Sequence, residues 1–180
     1  MTVLQTRRLL LRRLTPDDGA FMLALVNDPA WLRYIGDRGV HTLDEAREYL
    51  RKGPIDMYAR VGHGLYLVEL KTTGEPIGIC GLIKRETLAD VDLGFAFLPQ
   101  FRGDGYAREA AAATMSYARA TLGMQRVVAI VSPENVRSIA LLEKLGFRFE
   151  QSLRLPPNEA RVTSLFVSNV DLDGRMPAAV

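Results

Sequence analysis

Residues 99–115 read PQFRGDGYAREAAAATM, with two glycines one residue apart between a strand-like apolar run and an alanine-rich helix. Glycines so placed serve a turn whose backbone visits positive φ or approaches a neighbour closely. At the opening of a helix that neighbour is usually an anion, because free N–H groups and the helix dipole face it. A tight connection without a ligand is the competing reading. Two familiar phosphate motifs fail here. A P-loop needs Lys and then Ser or Thr after its second glycine, where this chain has Tyr106 and Ala107. A dinucleotide fingerprint needs Gly or Ala three residues beyond Gly105, where Arg108 stands, and a parallel βαβ unit rather than an antiparallel meander. What survives is a nest: the N–H groups of Arg102 to Ala107, the helix start and the Arg102 side chain converge on one spot suited to a pyrophosphate.

Working outward, the run before the loop is the last of three β-like segments: GLYLVEL (64–70), PIGICGLIKR (76–85) and ADVDLGFAFL (89–98). Their separators, KTTGE and ETLAD, are hairpin length, so the three strands are read as antiparallel neighbours. Upstream, Leu9 to Leu14 forms a first strand and Thr15-Pro16 opens a helix ending before Pro29. Thr42-Leu43-Asp44-Glu45 is a capping box opening a second helix that stops at Gly53-Pro54. Downstream, the glycine-loop helix runs from about Tyr106 to Leu122, followed by a buried strand, RVVAIV (126–131). Ser132-Pro133 then opens a helix that Gly146 ends. FRFEQSLRL (147–155) and VTSLFVSNV (162–170) close the fold, with Pro156-Pro157 between them. The order β-α-α-β-β-β-α-β-α-β-β makes an α/β chain: a mixed, mostly antiparallel sheet flanked by helices.

Composition excludes several functions. The 180 residues carry 23 Lys and Arg against 21 Asp and Glu, a net charge of +2 with no basic stripe, which argues against nucleic acid. Cys80 is the sole cysteine, so neither an intrachain disulfide nor a cysteine zinc cage is available; its GICGL setting reads as a buried strand. His41 and His63 lack partners at metal-ligand spacing, and no metal is expected. The opening TRRLLLRRLTPDD has too short an apolar run for a leader, and no stretch reaches the length of a membrane span, so a cytoplasmic protein is expected.

Gln100-Phe101-Arg102-Gly103-Asp104-Gly105 resembles the Q/R-x-x-G-x-G/A signature of the GNAT superfamily of acyl-CoA-dependent N-acetyltransferases. SPENVRSIALLEKLGF (132–147) is similar to that family's next helical block, and LQTRRLLLRRLTPDD to its RimJ/RimL-like branch. The resemblance spans residues 1–172 as a single domain and leaves 173–180 as a tail. It implies acetyl-CoA as donor, CoA as product, and a sheet splayed between the fourth and fifth predicted strands to admit the cofactor. Carried over, the backbone of Phe95, Ala96, Phe97 and Leu98 pairs with the pantetheine arm. Arg102, Gly103, Asp104, Gly105, Tyr106 and Ala107 hold the pyrophosphate, while Asn135 and Ser138, one helical turn apart, meet the thioester end.

Acetyl transfer to an amine needs a neutral nucleophile, an oxyanion donor and a proton for the departing thiolate. Asp92, on the fourth strand just upstream of the thioester, is the candidate base; closing a hairpin or pairing with an arginine is its other reading. The tyrosine many relatives use as acid is replaced here by Leu142, which leaves Ser138 as proton donor or as a cofactor ligand only. Direct attack in a ternary complex makes Cys80 dispensable. Lys144 reads as a solvated helix-end cation. Trp31 and Tyr34, with Arg33 and Asp37, are placed in a loop between the first two helices and offered to the acceptor amine, together with residues 150 to 162. That acceptor is a protein N-terminus or a small molecule, and the chain is read as monomer or homodimer, with neither nucleic acid nor membrane as partner. A non-catalytic acyl-CoA-binding module is the alternative.

Overall fold

The computed structural model describes residues 1–156 and 159–169. Eight strands form one sheet: β1 (Thr2–Gln5), β2 (Leu9–Arg13), β3 (Leu65–Leu70), β4 (Pro76–Ile83), β5 (Val91–Phe97), β6 (Arg126–Val131), β7 (Arg148–Arg154) and β8 (Val162–Asn169). Their spatial order is β1-β2-β3-β4-β5-β6-β8-β7. Every pairing is antiparallel except β5 with β6, which run parallel. The mixed, mostly antiparallel sheet is therefore the one expected, with one more strand. β1 escaped notice because TVLQ is a four-residue edge strand, half exposed and joined to β2 across a bulge. Pro157, Val170 and the expected tail at 173–180 lie outside the described residues.

The helices are α1 (Gly19–Val26), α2 (Pro29–Tyr34), α3 (Leu43–Leu50), α4 (Asp56–Val61), α5 (Tyr106–Ala120) and α6 (Val136–Lys144). Two expectations need amending, both at prolines. The first helix ends before Pro29 as read, at Val26, but Pro29 then starts another, because Asp28 caps α2 by accepting from the Ala30 and Trp31 amides and Pro tolerates the first turn. Trp31 and Tyr34 are consequently helical rather than in a loop. Gly53-Pro54 does not stop the second helix: Arg51–Ile55 forms a widened π turn that absorbs Pro54 and runs into α4, which ends at left-handed Gly62. The Thr42 capping box is present as read, with Glu45 Oε2 accepting from the Thr42 amide at 2.9 Å.

Alternation along the strands divides the core into two. Tyr66 and Val68 of β3, Cys80 and Leu82 of β4, and Leu93 and Phe97 of β5 pack with Ala110, Ala111 and Met115 of α5. Small side chains on this face of α5 let the helix lie close against the sheet. On the opposite face, Leu67 and Ile79 pack with Met22, Leu25, Trp31, Ala46 and Leu50. Among the described residues, no helix is long and apolar enough to cross a membrane.

Candidate active site

The site begins where the sheet comes apart. β5 and β6 pair only at Val91↔Val127 and Asp92↔Val128. Beyond that point the two strands diverge, and the edge of β5 facing β6 carries no ladder. Asp92 sits at the apex, 1% exposed. Its Oδ1 accepts from the Ile130 amide at 3.1 Å, and its Oδ2 accepts from Arg85 Nε at 2.7 Å. The side chain thus completes one hydrogen bond that the diverging strands no longer make. Burial pushes the Asp92 carboxyl upward, against the pull of Arg85 and the Ile130 amide. The pairing with an arginine that was one reading of this residue is present, and Asp92 also lines the cavity the split creates.

That cavity has a volume of about 550 Å³. Phe95 and Ala96 of β5, Asn135 and Ser138 of α6, and Trp31 and Tyr34 of α2 all belong to its wall, so the structure gathers these candidates in one place. Asn135 caps α6, its Oδ1 accepting from the Ser138 amide at 3.2 Å, which leaves its amide NH₂ available. Leu142, in the position of the missing tyrosine, is buried core that reaches the same wall. Trp31 packs in the second core and also borders the cavity. Phe97 and Leu98 are not in the wall: Phe97 packs in the first core and Leu98 against the second.

β5 leads through a tight turn at Pro99–Phe101 into the glycine loop. Gly103 and Gly105 have φ of +99° and +80°, the left-handed region that glycine alone enters without strain. Among the described residues, the amides of Gly103 through Arg108 meet no protein acceptor, whereas the Arg102 amide donates to the Pro99 carbonyl. The nest is therefore shifted by one residue from its expected span. Arg102 needs a second correction. Its Nε donates to the Phe97 carbonyl at 2.8 Å and its Nη2 to Asp28 Oδ1 at 2.5 Å, so its guanidinium braces the loop against α2 rather than lying free over it.

Sequence reasoning missed the second brace. Arg8, in the β1–β2 turn, donates to the Asp104 carbonyl at 3.0 Å and to Glu109 Oε2 at 2.6 Å, and its guanidinium lies 4.3 Å from the centre of the Tyr106 ring. Glu109 also accepts from Thr6 Oγ1 and the Arg8 amide. About a hundred residues separate these partners, and no local pattern announces them. Cys80 is fully buried beside Thr114, and burial pushes its thiol up to about 12. His63 is buried with Nδ1 against the Leu82 carbonyl, and Lys144 is exposed at the end of α6.

Residues 8–148 match the family model described as the acetyltransferase (GNAT) domain. A Bacillus licheniformis protein named as the uncharacterized N-acetyltransferase p20 is 30% identical over 156 residues, covering 86% of each chain. The crystal structure of an acetyltransferase from Agrobacterium tumefaciens superposes with a TM-score of 0.77 at 28% identity, over 93% of each chain. RimL, a ribosomal L7/L12 α-N-protein acetyltransferase solved in complex with coenzyme A, superposes with a TM-score of 0.70 over 95% of this chain and 99% of its own. At 18% identity, that last likeness speaks to the fold alone.

Proposed function

The chain belongs to the acetyltransferase (GNAT) domain family, and from that premise we propose that it transfers the acetyl group of acetyl-CoA to a primary amine, a protein N-terminus or a small amine. One observation carries the reading: the amide nest opening α5 stands at the end of β5, the same strand whose bare edge borders the cavity. A pyrophosphate on the Gly103 to Arg108 amides leaves the pantetheine arm to run along that edge as an added strand. Its thioester then arrives between Asp92 and the Asn135–Ser138 wall. The donor supplies an activated acyl group with a thiolate leaving group, so no enzyme nucleophile is needed.

A neutral amine attacks the carbonyl, with the oxyanion held by a β5 amide. Asp92, whose proton affinity burial has raised, takes the amine proton directly or through water. Asn135 fixes the thioester end and the Ser138 hydroxyl relays a proton to the thiolate. Calorimetric titration with acetyl-CoA and CoA tests the cofactor half of this reading, using wild type and Gly103→Glu, which sets a side chain at positive φ and a carboxylate on the nest. Wild type should bind both forms and the folded variant neither. Binding without thiol release for any amine would favour the non-catalytic module, and absence of binding would remove the reading altogether.

A further inference from the structure

The acceptor end of the cavity is cationic. Arg38, Arg85 and Arg161 all border it, from the loop after α2, the turn after β4 and the start of β8. Arg85 gives its Nε to Asp92, and among the described residues its two terminal nitrogens meet no acceptor. Arg161 gives Nη2 to the carbonyls of Arg33 at 2.9 Å and Tyr34 at 2.7 Å, which fixes the side chain while, among the described residues, no carboxylate pairs with it. Arg38 is exposed and, among the described residues, has no partner. Tyr49 belongs to the same cavity wall, where burial raises its hydroxyl and the charges of Arg38 and Arg85 pull it down.

Two carboxylates line the same cavity and only partly offset the three guanidiniums: Asp92 pairs with Arg85, and Asp37 turns Oδ1 to the Gly39 amide at 2.7 Å. Guanidinium forks with free N–H groups in a partly enclosed space suit a planar carboxylate or a phosphate, and they repel a polycation. Resting on the transferase reading above, we propose that the acceptor is a small amine carrying an anionic group, bound by Arg38, Arg85, Arg161 and the Tyr49 hydroxyl. The cavity volume has room for such a small molecule beside the thioester end of the donor.

The test uses matched acceptors with thiol release as readout: L-amino acids, the same amino acids as amides, O-phosphoethanolamine and spermidine. Wild type should prefer the anionic member of each pair by tenfold or more in kcat/KM. The relative rates of amino acids and O-phosphoethanolamine identify carboxylate or phosphate as the anion. Arg38→Ala and Arg161→Ala should raise KM about tenfold for anionic acceptors, acting through KM rather than kcat, with little effect on amides. Preference for amides or spermidine, or an equal loss for charged and neutral acceptors, overturns the proposal. A second readout needs no turnover: calorimetry of N-acetyl amino acids and their amides against the CoA-loaded protein. Tighter binding of the acids, lost in Arg38→Ala, supports the proposal, and equal or absent binding overturns it. Failure to bind acetyl-CoA would instead strike the transferase reading, so the two failures are distinguishable.

Discussion

A Cβ built on Gly105 would stand 3.5 Å from Arg8 Nη2, whereas one built on Gly103 would meet nothing within 4 Å. Space is available at both positions; the conformation is what demands glycine. Gly103→Ala should therefore cost about 1–2 kcal/mol in thermal unfolding, the strain of a left-handed side chain, and weaken acetyl-CoA in the same titration by disturbing the amides around it. Cys80 presents the opposite case, a reactive group made inert by burial. With its thiol held near 12, almost no thiolate exists at pH 8, so iodoacetamide should label the protein only after unfolding. Cys80→Ala should retain wild-type kcat, and a large loss would mean that acetyl passes through the thiol. At this scale the sequence was informative wherever chemistry is local, as with the glycines and the buried Cys80. It was silent about Arg102, because the partner that orients the guanidinium, Asp28, lies 74 residues away.

Among elements, prolines misled, and the caps divided: the Thr42 box opens α3 as read, whereas α6 opens at Val136 under Asn135 and not at Ser132-Pro133. Pro29 and Pro54 both look like terminators, yet one opens α2 under an Asp28 cap and the other sits in a π turn that continues the helix. Asp28 has two duties, capping α2 and holding Arg102, and two variants separate them. Asp28→Ala should lower stability by about 2 kcal/mol, the loss of a cap together with a buried charge pair. It should also weaken acetyl-CoA binding by releasing the Phe97–Arg102 turn. Asp28→Asn keeps an oxygen for the Ala30 and Trp31 amides, so it should recover most of the melt but less of the affinity. Glu109 ties the β1–β2 turn to the first turn of α5 and carries a pH signature. Burial pushes its carboxyl up, but Thr6 Oγ1, the Arg8 amide and the Arg8 guanidinium together bring it below the ordinary value of 4.5. A carboxyl lowered in the folded state stabilises fully above its unfolded pKa and loses that contribution as pH falls through the folded one. Wild type should thus melt above Glu109→Gln at pH 7, and the two curves should converge in strong acid. A difference in melting temperature that persists at pH 2 would show that the charge is not what holds the turn.

Across the whole molecule, the sheet is two blocks, β1 to β5 and β6 to β8, joined by a two-residue parallel ladder. Within the first block the β3–β4–β5 meander was legible because its separators are hairpin length, whereas β1 was not. Nor was the second block: β8 inserts between β6 and β7, an order that no local pattern in residues 126–169 encodes. The expected split between strands falls at the junction of the blocks, and the side chain that marks it is Asp92. A group at such a junction can serve chemistry, architecture or both, and Asp92→Asn and Asp92→Ala resolve which. The asparagine keeps an oxygen for the Ile130 amide and removes the charge; the alanine removes both and leaves Arg85 without its partner. Alanine should destabilise by about 2–3 kcal/mol, the cost of orphaning buried polar groups, and should speed hydrogen exchange at the Ile130 amide. Asparagine should preserve that protection. If Asp92 is also the base, the asparagine variant binds acetyl-CoA normally yet loses a hundredfold or more in kcat, the usual yield of a positioned base. Full activity in a protected, well-folded Asp92→Asn would reduce the residue to a pin between two halves of a sheet, and would leave the amine proton to solvent.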